Sequence, residues 1–307
     1  MIQSPLNYIG GKFKLLPQIL PLFPKKISRF FDFFCGGCNV GINVDCDETF
    51  FIDLDEHLIY LYQTFQNLDK ESVFNWIYQI ISEYKLSLVS RHGYAFYGCH
   101  SSSGLGNYNR EPFNRLRNDF NSCQILDYRY YVMLYVIIVY SFNNQIRFNS
   151  AGEFNLPVGK RDFNSRMHSK LLAFIDKIQT THCHFIKTDF RQFDTSTLTA
   201  EDFVYADPPY LITCATYNEN GGWSANDERD LLNFLDSIHY RGIKFALSNV
   251  LTGNGKKNNI LSDWLVKNSH SYKTYHLQHS YSNSNYHKAD KISATDEVLI
   301  INYTADL

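Results

Sequence analysis

The chain has no apolar run long enough to cross a membrane. Its longest, Tyr130 to Phe142, is about 13 residues against the ~20 of a spanning helix, and reads as a buried helix. Met1-Ile2-Gln3-Ser4 lacks the basic and then apolar layout of a signal peptide. The expected compartment is therefore the cytoplasm, with no membrane partner. Seven cysteines, an odd number, show no framework of pairs, which suits a reducing compartment. The one close pair, Cys35-Gly36-Gly37-Cys38, has no second pair to complete a four-ligand zinc site. A glycine turn explains it better, and no metal is expected. His182-Cys183-His184 reads as strand, with neighbours alternating between faces. Charge of one sign is also missing: a net −2 gives no global attraction to nucleic acid. Between Arg110 and Arg191, however, 12 Lys/Arg stand against 7 Asp/Glu, a local excess of +5. Phosphate contact there is one reading and a solvated surface the other.

What is present is enough apolar material, 44% of 307 residues, to bury a sizeable core. Short apolar strands alternate with amphipathic helices, the pattern of an α/β sheet protein. Strands are expected at Ile27–Phe34, Phe50–Leu54, His184–Lys187, Phe203–Ala206 and Ile243–Ser248. Tyr272–Leu277 and Glu297–Tyr303 would close the sheet as an antiparallel pair. Helices are expected at Gly11–Leu22, Glu56–Asn67, Lys70–Tyr84, Ser165–Gln179, Asn226–Ile238 and Asn258–Asn268. From about residue 58 to 165 the rhythm breaks. Helices are followed by a polar stretch, His100 to Asn109, a long apolar helix and the Asn/Arg/Phe-rich segment Phe142 to Lys160. This reads as a module inserted between the second and third strands. The Ser/Asn/Tyr/His run from His279 to Asn285 is an expected mobile loop.

Phe203-Val204-Tyr205-Ala206-Asp207-Pro208-Pro209-Tyr210 carries the clearest chemistry. A strand delivers a carboxylate at its carboxyl end, where open α/β sheets place their sites. Two prolines fix φ and donate no backbone hydrogen bond, while their carbonyls still accept. The turn so offers a side-chain acceptor, a backbone acceptor and an aromatic face. That set fits an amino group on a flat ring. Taken alone, Asp-Pro-Pro is equally a strand terminator. Upstream, Phe31-Asp32-Phe33-Phe34-Cys35-Gly36-Gly37-Cys38 runs a strand into glycines that allow close approach of a ligand. Phe51-Ile52-Asp53-Leu54-Asp55 ends the next strand in acids able to bind a ribose hydroxyl pair. No Gly-x-Gly-x-x-Gly is present, so an adenosine ligand without a pyrophosphate fits better than a dinucleotide. A tight turn between core strands is the alternative for either piece.

In this order the motifs resemble the Dam-type DNA adenine N6-methyltransferases, which carry Asp-Pro-Pro-Tyr, and the resemblance runs nearly end to end. Tyr8-Ile9-Gly10-Gly11-Lys12 is similar to the amino-terminal aromatic-x-Gly-Gly-Lys motif. Asp32 and Phe34 to Cys38 match the acid-Pro-Phe-x-Gly-x-Gly loop, Asp53 the ribose acid, and Thr188-Asp189-Phe190 the segment beside the cofactor adenine. The resemblance implies S-adenosylmethionine as cofactor, held by Tyr8, Gly11, Lys12, Asp32, Phe34, Gly36, Asp53, Asp189, Phe190 and Asp207. It implies a catalytic loop of Asp207, Pro208, Pro209 and Tyr210. Arg147-Phe148-Asn149 and Gly152 to Lys160 are similar to the target-recognition segment, which makes Arg147, Asn149, Asn155 and Lys160 the expected DNA contacts. Asp296 to Tyr303 matches the closing strand. Two positions depart: Cys38 stands where the family has its final glycine, and Phe33 where it has proline. Both are tolerable where the local φ is negative.

The implied fold is a Rossmann-like methyltransferase sheet, mixed and seven-stranded with a terminal antiparallel hairpin, bearing an inserted, mainly helical target-recognition module. Residues 1–57 and 166–307 would form the catalytic, cofactor-binding domain and 58–165 the recognition domain. The implied enzyme is a site-specific DNA methyltransferase acting on the exocyclic N6 of an adenine flipped out of double-stranded DNA. It would serve a restriction-modification system, beside a separately acting cognate endonuclease, or work as a solitary methylase. Methylation of cytosine N4, an RNA adenine or a protein glutamine amide is the rival chemistry. A DNA-binding protein without catalysis is the rival class.

Overall fold

A computed structural model describes residues 1–8, 10–212, 222–253, 255–278 and 295–305. The chain divides into two compact units: Lys12–Cys35, Val44–Leu54 and Ile186–Leu307 form one, and Met1–Gly11, Gly36–Asn43 and Asp55–Phe185 the other. The expected loop at His279 to Asn285 lies outside the described residues. No helix among the described residues is long and apolar enough to cross a membrane.

The first unit carries the sheet. Its strands are β1 (Arg29–Phe33), β2 (Glu48–Asp53), β3 (Cys183–Lys187), β4 (Phe203–Ala206), β5 (Lys244–Gly253), β6 (Lys256–Lys257), β7 (Lys273–Leu277) and β8 (Asp296–Ile301), with β3 entering from the other unit. The order is β3-β2-β1-β4-β5-β8-β7. β1 pairs in parallel with β2 and β4, and β4 with β5. β8 lies antiparallel between β5 and β7, the expected closing pair. The sheet has eight strands rather than seven, because β6 pairs with β5 off the main path. Two lysines offer no apolar alternation by which a sequence could announce such a strand. Strand order reverses between β1 and β4, which puts the ends of these two strands at the topological switch point.

β1 and β4 are near-continuous apolar runs because both of their faces are covered. On one face Phe31, Phe33, Val204 and Ala206 share a core with Leu231, Leu235 and Ile238 of the helix Ala225–Tyr240. On the other, Phe30, Phe203 and Tyr205 pack around the Phe23 ring. The expected helix from Gly11 to Leu22 is instead three short pieces, a 3-10 turn Lys12–Leu15, α1 (Leu16–Ile19) and a 3-10 turn Leu20–Leu22. Pro17 and Pro21 break the ladder of backbone hydrogen bonds that a continuous helix needs.

The second unit holds α2 (Glu56–Asn67), α3 (Lys70–Glu83), α4 (Val89–Phe96), α5 (Gly106–Ser122), α6 (Tyr128–Tyr140) and α7 (Ser165–Thr180). The sheet unit supplies α8 (Ala225–Tyr240) and α9 (Asn259–Lys267). Asp55, Asp69, Asp127 and Asn164 cap α2, α3, α6 and α7 with side-chain acceptors. Every residue of α6 from Tyr130 to Tyr140 is buried, and the helix packs on α2, α3 and α5. The polar reading of His100 to Asn109 gives way at its end to α5, whose buried face is Asn109, Phe113, Leu116 and Phe120. Asn109 is buried because its amide exchanges hydrogen bonds with Ser87 at 2.8 Å in each direction.

Candidate active site

The loop after β4 lies beside the end of β1, with the Asp207 amide donating to the Phe33 carbonyl at 3.4 Å. Around Asp207 the sheet unit assembles a compact polar cluster. Lys12 Nζ lies 2.8 Å from Asp207 Oδ2 and 3.5 Å from a carboxylate oxygen of Glu297. The Tyr210 hydroxyl donates toward Asp207 Oδ1 at 3.0 Å and Glu297 Oε1 at 3.1 Å. Lys12 Nζ also stands 4.9 Å from the centre of the Tyr210 ring. The Lys12 and Glu297 side chains are 3% and 2% exposed and that of Asp207 18%, so water can reach Asp207 alone of the three. Burial raises the Asp207 carboxyl above its usual range; the Lys12 ammonium opposes the shift and the Glu297 charge adds to it. Tyr210 is pushed far above its ordinary value by burial and by the Asp207 and Glu297 charges. Lys12, expected at the cofactor, thus contacts the acid of the Asp-Pro-Pro-Tyr loop.

Sequence reasoning misses Glu297 as a site residue. On β8 it sits opposite Leu277 and Val250, and alternation turns it away from Val298 and Ile300, which join the core on the other face. The available signal is the acid pair Asp296-Glu297 at the head of the apolar run Val298 to Ile301. Asp32 is buried in β1 between Phe51 and Tyr205 of the neighbouring strands.

A second cluster of the same unit surrounds the ends of β2 and β3. The Asp53 carbonyl accepts from the Thr188 amide at 3.1 Å, which brings the expected ribose acid next to Thr188-Asp189-Phe190. The two acids after β2 separate here, because Asp55 caps α2 through the His57 amide while Asp53 ends the strand. The Asp189 carboxylate accepts from the Arg191 amide and lies 3.2 Å from the Arg191 guanidinium, which also reaches Asp227 and Asp230. Phe34 and Phe190 meet the ring of Trp223, at centroid distances of 5.5 and 6.2 Å. Trp223 is held by the fully buried Glu228, to which its indole N–H donates at 2.7 Å. Glu228 also accepts from the side-chain amides of Asn249 at 3.0 Å and Asn258 at 2.8 Å. Neither Trp223 nor Glu228 stands out in the sequence. Half-buried Phe34 and Trp223 beside Phe190, with the Asp53 carboxyl at a strand end, form an acceptor and surface set suited to a flat base and a ribose diol. Among the described residues no group of three or more His, Cys, Asp or Glu side chains is placed to hold a metal ion.

The helical unit holds the remaining expected residues. A Cβ on Gly36, whose φ is +45°, would meet the Tyr8 ring at 2.6 Å, so only glycine fits beneath that ring. Tyr62 donates to the Gly36 carbonyl at 2.7 Å. Gly11 lies close to Asn39 and to the Tyr8 carbonyl, at 3.0 and 3.1 Å from an added Cβ. Cys38 does not meet the condition of a negative φ. It lies fully buried at +56°, in the left-handed region that a glycine enters without a steric penalty. Arg147, Asn149, Asn155 and Lys160 fall on one two-stranded loop, stitched by the bridges Ser141–Val158 and Phe148–Phe154. Arg147 Nε donates to Asn155 Oδ1 at 2.8 Å. Asn149, partly accessible, accepts from the amides of Ala151 and Glu153. Lys160 is exposed, and its carbonyl accepts from the Leu105 amide.

The chain is 40% identical to the modification methylase StsI of Streptococcus sanguinis, over 98% of this chain and 43% of that protein. It is also 40% identical to the type II methyltransferase M.FokI of Planomicrobium okeanokoites, over 99% of this chain and 43% of that protein. With the DNA adenine methylase of Escherichia coli it shares 25% identity over 80% of this chain and 79% of that one. The chain thus spans less than half the length of the first two relatives. The family model for D12 class N6 adenine-specific DNA methyltransferases matches residues 8–283, and the chain belongs to that family.

Proposed function

We propose that the chain is a site-specific DNA methyltransferase acting on the exocyclic N6 of adenine in double-stranded DNA, with S-adenosylmethionine as cofactor. The observation that carries this reading is the cluster at the β4 carboxyl end. There a partly accessible carboxylate is followed by two prolines and an aromatic ring, and is braced by a buried ammonium. Bound S-adenosylmethionine would supply an electrophilic methyl carbon on a sulfonium. Phe34, Asp53, Asp189 and Phe190 are its proposed partners in the sheet unit, with Asp32 and Lys12. Tyr8, Gly11 and Gly36 are proposed from the resemblance.

The chain's own work falls on the acceptor. An adenine amino nitrogen is a poor nucleophile because its lone pair is delocalised into the ring. Acceptance of its N–H bonds by the Asp207 carboxylate and the Pro208 carbonyl draws it toward tetrahedral geometry. Asp207 then stabilises the positive charge that develops on nitrogen. Tyr210 stacks on the flipped base, Pro209 completes the rigid turn, and stacking offsets part of the unstacking cost. No Pro-Cys pair of the cytosine-C5 type is present in the sequence. Residues 58–165 are the proposed recognition module, with Arg147, Asn149, Asn155 and Lys160 facing DNA, and residues 1–57 and 166–307 the proposed catalytic domain. A cytoplasmic place, and a separately acting restriction endonuclease as partner, complete the proposal.

The test is Asp207→Ala, assayed by labelled methyl transfer to DNA, RNA and protein in parallel. Incorporation into DNA should fall by at least about 100-fold, with cofactor binding retained. Wild-type turnover by the variant, or incorporation chiefly into RNA or protein, would overturn the reading.

A further inference from the structure

The Lys12–Asp207 contact poses an electrostatic problem. A carboxylate paired only with an ammonium at 2.8 Å is a neutral couple, and a neutral couple does little for a positive charge growing on a substrate nitrogen. Glu297 changes this balance. Its carboxylate lies 3.5 Å from the same ammonium, so among the described residues two acids face that one cation, an arrangement with an excess of negative charge when both are ionised. The Tyr210 hydroxyl adds a second shared element. It has one proton and two acceptors, Asp207 at 3.0 Å and Glu297 at 3.1 Å, and can serve only one of them fully at a time.

We propose that Glu297 is a positioning residue for methyl transfer: it shares the Lys12 ammonium with Asp207 and accepts the Tyr210 hydroxyl hydrogen bond when Asp207 turns to the amino group of the base. The proposal rests on the reading of Asp207 given above. It assigns Glu297 no contact with substrate, cofactor or reacting atoms. Its burial, at 1% exposed on a strand hydrogen-bonded on both sides, gives the carboxylate a fixed place from which to act. Among the described residues, the groups facing Asp207 are Lys12 from the amino-terminal turn, Glu297 from β8 and Tyr210 from its own loop. Tyr205 of β4 couples to Asp207, and Asp32 of β1 couples to Tyr205.

The experiment measures kcat, KM for cofactor and for DNA, and the pH profile of kcat. It uses plasmid DNA from a methylation-deficient host and the full chain carrying Glu297→Gln, Glu297→Asp or Asp207→Ala. Glu297→Gln should lower kcat by about tenfold, less than the roughly 100-fold minimum for a group acting directly in proton transfer, with both KM values unchanged. It should also move the acid limb of kcat to lower pH, because a negative charge facing Asp207 is gone. Glu297→Asp keeps the charge and should keep the limb in place, with a rate between those of wild type and Glu297→Gln. A wild-type kcat with an unmoved limb in Glu297→Gln overturns the proposal. If that variant fails to fold by thermal melting, Glu297→Asp decides: lowered kcat with an unmoved limb supports the proposal, and wild-type kcat overturns it. Asp207→Ala tests the underlying reading separately, since wild-type turnover there would sink the site and not merely the role of Glu297.

Discussion

The cluster around Asp207 and the loop around Arg147 are both polar, yet they are built on opposite principles. In the cluster, Lys12 and Glu297 are withdrawn from water, Asp207 and Tyr210 are partly so, and the four restrain one another over 2.8–3.5 Å. In the loop, Arg147 is exposed and bonds a neighbouring Asn155, while Asn149 is spent on the loop's own turn. Buried charges are worth several times what exposed ones are, and their loss is correspondingly costly. Surface charges cost little to lose and little to rearrange. A reacting group gains from the first arrangement, because its partners stay in place when charge develops. A surface that must adapt to a long polyanion gains from the second.

The sharpest break in this contrast should come from Glu228, a buried acid outside the reacting cluster. Glu228→Ala would strand three donors, on half-buried Trp223 and buried Asn249 and Asn258, and should cost about 3 kcal/mol in denaturant unfolding. A loss within ~0.5 kcal/mol, the scale of ordinary surface substitutions, would show that the network is dispensable. Tyr210→Ala should lower the methyl-transfer rate by the equivalent of roughly 1–3 kcal/mol, the worth of a base–aromatic stack. Tyr210→Phe, which keeps the ring, should lose less; equal losses would assign the effect to the hydroxyl. The pH profile sharpens the comparison from the other side. Asp207 works ionised and its carboxyl is raised, so it takes up a proton at higher pH than an ordinary aspartate. The acid limb of kcat should therefore lie above the usual 3.8; a limb at or below that value would contradict the burial of the site. The smallest effect is expected for Arg147→Ala, with stability unchanged within ~0.5 kcal/mol. DNA affinity should fall and its log–log salt slope by about one, as for the loss of one phosphate contact. An unchanged slope would remove Arg147 from the DNA-facing set.

Legibility follows the range of the interactions. α6 is plain in the sequence because eleven consecutive residues, Tyr130 to Tyr140, are buried and all but their hydroxyls are apolar. Its cap Asp127 is local too. The amino-terminal helix is expected too long because the apolar spacing of Leu15, Leu16 and Ile19 masks two prolines that act on the backbone. The start of α5 is hidden because a buried asparagine looks polar until its partner Ser87 is known. Cys38 cannot be placed from composition, since the left-handed turn is imposed by the loop and not by the residue.

For the Asp207 loop, the sequence alone determined a great deal: an apolar strand, a carboxylate at its end, two prolines that hold the turn rigid, and an aromatic residue. These are consequences of adjacent residues, and local sterics suffice to read them. Only the tertiary structure decided what surrounds that carboxylate. Lys12 comes from the start of the chain and Glu297 from near its end, and sheet order with strand register brings them to one acid. Hydrogen-bond partners at such separations are chosen by packing, which no short motif encodes, and they set whether Asp207 is a neutralised ion or a charged acceptor.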